Sequence, residues 1–106
     1  FYTTGCNIPI FLAGFPEQDI VAVKVDRGGY AFRWKNFYDR DDVLGWPLKP
    51  LCASYEGAVD ADVEVNAGGS LLGNLTHGWH TLSHTRYWDD GEVLEPLVAD
   101  IGSLLT

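Results

Sequence analysis

The sequence is short of positive charge, of cysteine and of long apolar runs, and it contains no methionine. Its seven Lys and Arg residues stand against fifteen Asp and Glu, which gives a formal net charge of −8. A surface of that charge repels the phosphates of nucleic acids and anionic lipid headgroups, so nucleic acid is not expected as a partner. No apolar run approaches the roughly 20 residues of a transmembrane helix, so no membrane span is expected either.

The two cysteines, Cys6 and Cys52, lie far apart and match no metal-binding spacing. We expect two separate buried thiols, with a disulfide as the alternative. The chain opens on the strand-like stretch FYTTGC without an initiating methionine. This opening suggests a segment of a longer protein.

What the sequence does contain suits one domain spanning residues 1–106, since 46% of its residues are apolar and 13% are aromatic. Strands are predicted at four segments: 1–5, 21–25, 30–38 and 61–66. Residues 6–20 are predicted to form an apolar loop. The expected fold class is α/β.

A carboxy-terminal amphipathic helix is predicted over EVLEPLVADIGSLL, residues 92–105. Its apolar residues recur at helical spacing, and Asp89 or Asp90 is available as the N-cap. Pro96 indicates that the regular helix starts close to it, because proline fits only the first turn without cost.

The chain lacks the sequence that usually carries a nucleophilic serine. A serine hydrolase needs a nucleophile on a sharp glycine-flanked turn, a histidine base and an acid that orients the imidazole. Neither Ser54 in CASYEG nor Ser70 in GGSLLG matches G-x-S-x-G, so both are predicted to be polar loop residues. Candidates for the acid and the base remain.

Two stretches resemble the last third of α/β-hydrolases of the lipase and esterase kind. WKNFYDRDDVLGWPL (34–48) is similar to the family pattern W-x-N-x-Y-x-x-x-D followed by a hydrophobic residue, Gly and Pro-Leu. SHTRYWDDGEVLEPLVADIGSLL (83–105) is similar to the H-x-x-Y-W that precedes the final helix of these enzymes. The opening YTTGCNIP resembles their T-x-G-S-P, but it has Cys6-Asn7 where Ser-Pro would stand.

The resemblance implies that Asp42 is the catalytic acid and His84 the catalytic base. Both positions suit these roles, because Asp42 lies between a strand and a tight turn and His84 lies just ahead of a helix. The two side chains should then approach to about 3 Å. Asp39 and Asp41 are predicted to be caps or surface charges.

The aromatic pair Tyr87 and Trp88 is predicted to anchor the histidine loop in the core. The remaining histidines, His77 and His80, are predicted to be loop residues.

The resemblance also implies a partial α/β-hydrolase sheet that lacks the half bearing the nucleophile. The chain would belong to a serine hydrolase of esters, would need no cofactor, and would be inactive alone. A sheet cut in this way has an exposed edge, so a homo-oligomer is expected through the amino-terminal half.

Two other functions remain open. The spacing of His77, His80 and His84 would allow a zinc site, although the glycine and threonine between them disfavour the helix that such a site needs. The alternative is a non-catalytic interaction domain, in which the many aromatic residues would form a surface patch.

Overall fold

The computed structural model describes residues 1–24, 31–66 and 83–106, and there the chain forms a mixed α/β structure around a three-stranded parallel sheet. The strands are β1 (Tyr2–Thr4), β2 (Lys35–Tyr38) and β3 (Ala61–Glu64). The helices are α1 (Ile8–Leu12), α2 (Ala53–Ala58) and α3 (Gly91–Leu105), and 3-10 turns lie at Glu17–Asp19, Lys49–Leu51 and Ser83–Asp89. The predicted α/β class and the carboxy-terminal helix are confirmed.

The strands lie in the order β1-β2-β3, so each strand pairs with the next one along the chain. Parallel strands end at the same edge of a sheet, and ligand and active sites of open α/β sheets form at that carboxyl edge. The segments that leave β2 and β3 therefore start from one side of the sheet.

Two small hydrophobic cores lie on opposite faces of β2, because successive side chains of a strand point in opposite directions. The first consists of Ile20, Ala22, Trp34, Leu48, Cys52, Tyr55 and Val59. The second consists of Phe37, Val65, Tyr87 and Val93. Helix α2 contributes to the first core and α3 to the second. Both cysteines are free thiols.

Helix α3 begins five residues before Pro96 rather than near it, so that prediction is wrong. Asp90, one of the two predicted caps, accepts a hydrogen bond from the backbone N–H of Glu92 at 2.7 Å. Val93 is buried. The cap and the buried valine hold the first turn in place ahead of the proline.

Helix α3 is tied to the sheet by Asp100, whose carboxylate accepts hydrogen bonds from the Tyr2 hydroxyl and, at 2.6 Å, from Lys35 Nζ. Several apolar side chains of the helix are exposed. Its exposed apolar residues are Leu94, Val98, Ile101, Leu104 and Leu105. The described part of the chain contains no helix with the length and apolar character of a membrane span.

The segment 21–24, predicted as part of a strand, is not one. The backbone N–H of Ala22 donates to Ser54 Oγ at 2.9 Å, so a side chain takes the place of a neighbouring strand. Ser54 lies on α2 and not in the predicted loop. The strand predicted over 30–38 is confined to Lys35–Tyr38 among the described residues.

A row of polar side chains crosses all three strands. Thr3, Asn36 and Asp62 are register partners, and we call them the polar row. Thr3 Oγ1 donates to Asn36 Oδ1 and Asn36 Nδ2 donates to Asp62 Oδ1, each at 2.7 Å. Asn36 Nδ2 also donates to the carbonyl of Trp46 at 3.0 Å, and Asp62 accepts the backbone N–H of Leu48. The polar row therefore fastens the loop that follows Asp42 to the sheet.

Candidate active site

The structure brings Asp42 and His84 together at the carboxyl edge of the sheet. Asp42 lies in the loop after β2, and His84 lies in the 3-10 turn directly before α3. Asp42 Oδ2 and His84 Nδ1 are 2.9 Å apart, a normal hydrogen-bonding distance. Residues separated by 42 positions in the sequence thus form an acid–imidazole pair, which we call the dyad.

The carboxylate of Asp42 is fully enclosed by its hydrogen-bond donors. Its side chain has 0% exposed surface. Oδ1 accepts from the backbone N–H of Leu44 at 2.9 Å, and Oδ2 accepts from the Tyr87 hydroxyl at 2.9 Å as well as from His84. An ionised carboxylate only accepts hydrogen bonds, so these donors satisfy it in a site that water does not reach.

The imidazole of His84 is half-buried, with 34% of its side chain exposed. Its ring meets the Tyr87 ring edge-on, with the centroids 6.5 Å apart. When Nδ1–H donates to Asp42, the neutral ring carries its acceptor at Nε2. A histidine held in this tautomer is able to take a proton from a hydroxyl group at Nε2.

Tyr87 links the acid to the preceding turn. Its ring is 1% exposed, which confirms the predicted core position. Its hydroxyl accepts the backbone N–H of Asp39 and donates to Asp42, each at 2.9 Å. Burial, the hydrogen bond to Asp42 and the negative charge of that carboxylate raise the pKa of Tyr87 far above its usual range. The hydroxyl therefore stays protonated and remains a donor to the acid.

We expect Tyr87→Phe to lower the free energy of unfolding by about 2 kcal/mol, because Asp39 N–H and the buried Asp42 carboxylate each lose a partner. Urea denaturation measures this loss. The matched control is Tyr38→Phe, whose exposed hydroxyl donates only a 3.3 Å bond to Glu64, and which should change stability by less than about 0.5 kcal/mol. Equal losses in the two variants would contradict the positioning role of Tyr87.

Two glycines make room for the dyad. Gly5 has a φ of 55°, and a Cβ added there would lie 2.8 Å from His84 Nδ1 and 2.9 Å from Asp42 Oδ2. A Cβ on Gly45 would lie 2.5 Å from Asp42 Oδ2 and 2.8 Å from the Cα of Gly5. Sequence reasoning gave neither glycine a role, although both stand inside the quoted motif segments. Their positions within these segments were the only sequence signal for such a role.

The neighbouring acids match the prediction. Asp39 Oδ1 accepts the backbone N–H of Asp41 at 2.8 Å, so Asp39 caps its own turn, and Asp41 is exposed. The prediction for Trp88 is wrong, because 79% of its surface is exposed. It follows Tyr87 in the turn, and only the tyrosine faces the core.

A metal site finds no support in the described ranges, where no group of three or more His, Cys, Asp or Glu side chains is arranged to hold an ion. His77 and His80 lie outside the described residues, so the three-histidine zinc site stays a prediction. Ser70 lies outside them as well.

Comparison with protein-family models, with curated proteins and with solved structures gives no match to this chain. The functional argument therefore depends on the geometry of Asp42, His84 and the residues around them.

Proposed function

We propose that this chain is the acid–base portion of a serine ester hydrolase of the α/β-hydrolase kind, with Asp42 as the acid and His84 as the base. The observation that carries the proposal is the 2.9 Å contact between a fully buried carboxylate and a half-exposed imidazole. In a Ser-His-Asp triad the acid orients the imidazole and stabilises its protonated form, while the other ring nitrogen deprotonates the serine. The dyad supplies one of the contacts that this mechanism requires, the one between the acid and the imidazole.

The order of the elements supports the same function. The acid follows β2, the base follows β3, and both strands are parallel neighbours. In α/β-hydrolases the acid precedes the histidine along the chain.

The sequence contains no G-x-S-x-G segment that would carry the nucleophile. Ser54 accepts the backbone N–H of Ala22, beside the first core, so it has a structural role. We propose that the serine and the oxyanion hole belong to a strand, G-x-S-x-G turn and helix encoded upstream, so that esters are cleaved only by the longer chain.

The 106-residue chain should not hydrolyse p-nitrophenyl butyrate above background, and a chain extended through an in-frame upstream G-x-S-x-G should do so. In the extended chain, Asp42→Asn should lower kcat by about 10⁴, because the histidine then adopts the wrong tautomer, and His84→Ala should cost at least as much. Initial rates at saturating ester measure both effects.

The matched controls are His77→Ala and His80→Ala, which should keep most of the activity. Loss of activity in all three histidine variants, together with a wild-type activity that rises on addition of zinc, would favour the zinc site instead. Hydrolysis by the 106-residue chain that His84→Ala abolishes would contradict the proposed division of the triad.

A non-catalytic assembly role is a second candidate, favoured by exposed apolar side chains in the amino-terminal half. These are Phe1, Ile10, Phe11, Phe15, Val21 and Val23. Strand β1 is also an edge of the described sheet, since it pairs only with β2 there. Apolar patches beside an open strand edge are typical of protein interfaces.

We expect a homodimer or larger homo-oligomer that buries at least about 1,000 Å². The mass measured by light scattering at micromolar concentration should exceed the monomer mass of 11.7 kDa. Phe11→Lys should weaken assembly, because Phe11 is 73% exposed in the amino-terminal half, whereas Leu104→Lys, at an 84% exposed position on α3, should not. A wild-type mass of one chain would refute this role.

A further inference from the structure

A cavity of about 310 Å³ opens at the carboxyl end of β2, beside the acid of the dyad. Its walls include Tyr38, Arg40, Asp42, Val43, Trp46 and Pro47. Small-molecule sites in proteins begin near this volume, and a dry cavity of about 150 Å³ already accommodates benzene. The cavity is therefore large enough for an aromatic ring or a short alkyl chain.

Trp46 provides a fixed apolar wall. Its surface is 47% exposed, yet its indole Nε1–H donates to the carbonyl of Val43 at 3.1 Å. Its backbone N–H donates to the carbonyl of Cys6 at 3.1 Å, and its own carbonyl accepts from Asn36 of the polar row. An aromatic ring that is already held in place loses little conformational entropy when a ligand packs against it.

The charges around the cavity favour an uncharged ligand. Arg40 Nε lies 2.9 Å from Glu64 Oε1, and the Tyr38 hydroxyl donates to the other oxygen of Glu64. The arginine is thus neutralised by a partner, and the side chain of Asp42 is buried with its oxygens turned to other donors. A charged ligand group would lose its hydration on entering the cavity, and Arg40 and Asp42 are already paired with other groups.

We propose that this cavity binds the uncharged aromatic or short alkyl group of an ester, with Trp46 as its packing surface. The assignment to a substrate depends on the proposed function, because the cavity shares Asp42 and its loop with the dyad. Binding itself depends only on the cavity. The site would set which esters the hydrolase accepts.

The test uses the 106-residue chain labelled with 5-fluorotryptophan and observed by fluorine NMR. The signal of Trp46, assigned with Trp46→Phe, should shift saturably on addition of benzyl alcohol. The signal of Trp88, which is 79% exposed and outside the cavity, is the internal control and should not follow the same curve. Benzoate and benzylammonium should each bind at least about tenfold more weakly, because each would bring a hydrated charge into the cavity without an unpaired counter-charge on Arg40 or Asp42.

A second measurement uses calorimetry with benzyl alcohol on two variants whose folding is checked by circular dichroism. Trp46→Ala should weaken binding about tenfold or more, since it removes the packing surface, and Trp88→Ala should leave binding unchanged. An affinity for benzyl alcohol that Trp46→Ala leaves unchanged would overturn the site. Equal shifts of all the tryptophan signals would overturn it as well. Tighter binding of benzoate would overturn its uncharged specificity.

The two proposals fail separately. Loss of the cavity binding would leave the dyad and its triad role untouched, because the titration involves no turnover. Conversely, an extended chain without esterase activity, in a protein that still binds benzyl alcohol at Trp46, would remove the ester assignment and keep the binding site.

Discussion

Replacing Gly45 by alanine is expected to break the contact between Asp42 and His84 and to lower the free energy of unfolding by about 2 kcal/mol. The new methyl group would lie 2.5 Å from Asp42 Oδ2, well inside van der Waals contact. The methyl group has little room to move, because the Cα of Gly5 lies only 2.8 Å from it and the Tyr87 hydroxyl 3.0 Å. The carboxylate must therefore leave its place between its donors.

Long-range nitrogen–proton NMR of the histidine rings measures the first effect, with His84 assigned through His84→Gln. Wild-type His84 should be the tautomer protonated at Nδ1, and Gly45→Ala should lose that preference. The matched control is Gly57→Ala on α2, where a Cβ meets nothing within 4 Å. It should stabilise the protein by about 0.5 to 1 kcal/mol, as a glycine replaced within a helix does. A Gly45→Ala protein with wild-type stability and an unchanged His84 signal would show that the glycine is dispensable.

Asn36→Leu is expected to be the most destabilising single change in the sheet, with a loss of about 3 kcal/mol in the free energy of unfolding. Asn36 has no exposed surface and exchanges hydrogen bonds with Thr3, Asp62 and Trp46. Leucine is similar in size but leaves all three groups with one partner fewer, and one of them is a carboxylate. The total free energy of unfolding of a domain is roughly 5 to 15 kcal/mol, so this loss is a large fraction of it.

Urea denaturation and thermal melting measure the loss, which should lower Tm by roughly 10 to 20 °C. The same substitution at Asn7 is the control, because Asn7 is exposed and its side chain makes no capping hydrogen bond to α1. Asn7→Leu should stay within about 0.5 kcal/mol of the wild type. Similar stabilities of the two variants would mean that the polar row contributes nothing.

The parts of the fold that local patterns encode were predictable. The alternating stretches around β2 and β3 and the amphipathic spacing of α3 each carry their signal within a few residues. The proximity of Asp42 and His84 was expected from the resemblance of their segments to α/β-hydrolases, and in the structure the two side chains lie 2.9 Å apart.

The remainder depends on partners that are distant in the sequence. Helices α1 and α2 have five and six residues, too few for a helical period to appear, and α1 lies in the segment predicted as a loop. The burial of Asn36 is invisible without Thr3 and Asp62, which lie 33 and 26 positions away. The closeness of Gly5 to Gly45 is equally non-local. Composition alone also could not separate buried Tyr87 from exposed Trp88.

The polar row has a consequence for how the chain folds. Its two side-chain hydrogen bonds close loops of 33 and 26 residues, each at an entropic cost of roughly 3 kcal/mol. Neither hydrogen bond can form before its two strands pair. When only two of the strands have paired, Asn36 lacks one of its two side-chain partners in the polar row. A slip of one residue would turn Asn36 to the opposite face of the sheet, into the place of Phe37 in the second core, and would turn Phe37 away from that core. The polar row therefore stabilises only the complete sheet in its correct register. We expect the three strands to form late, slowly and as a single cooperative unit.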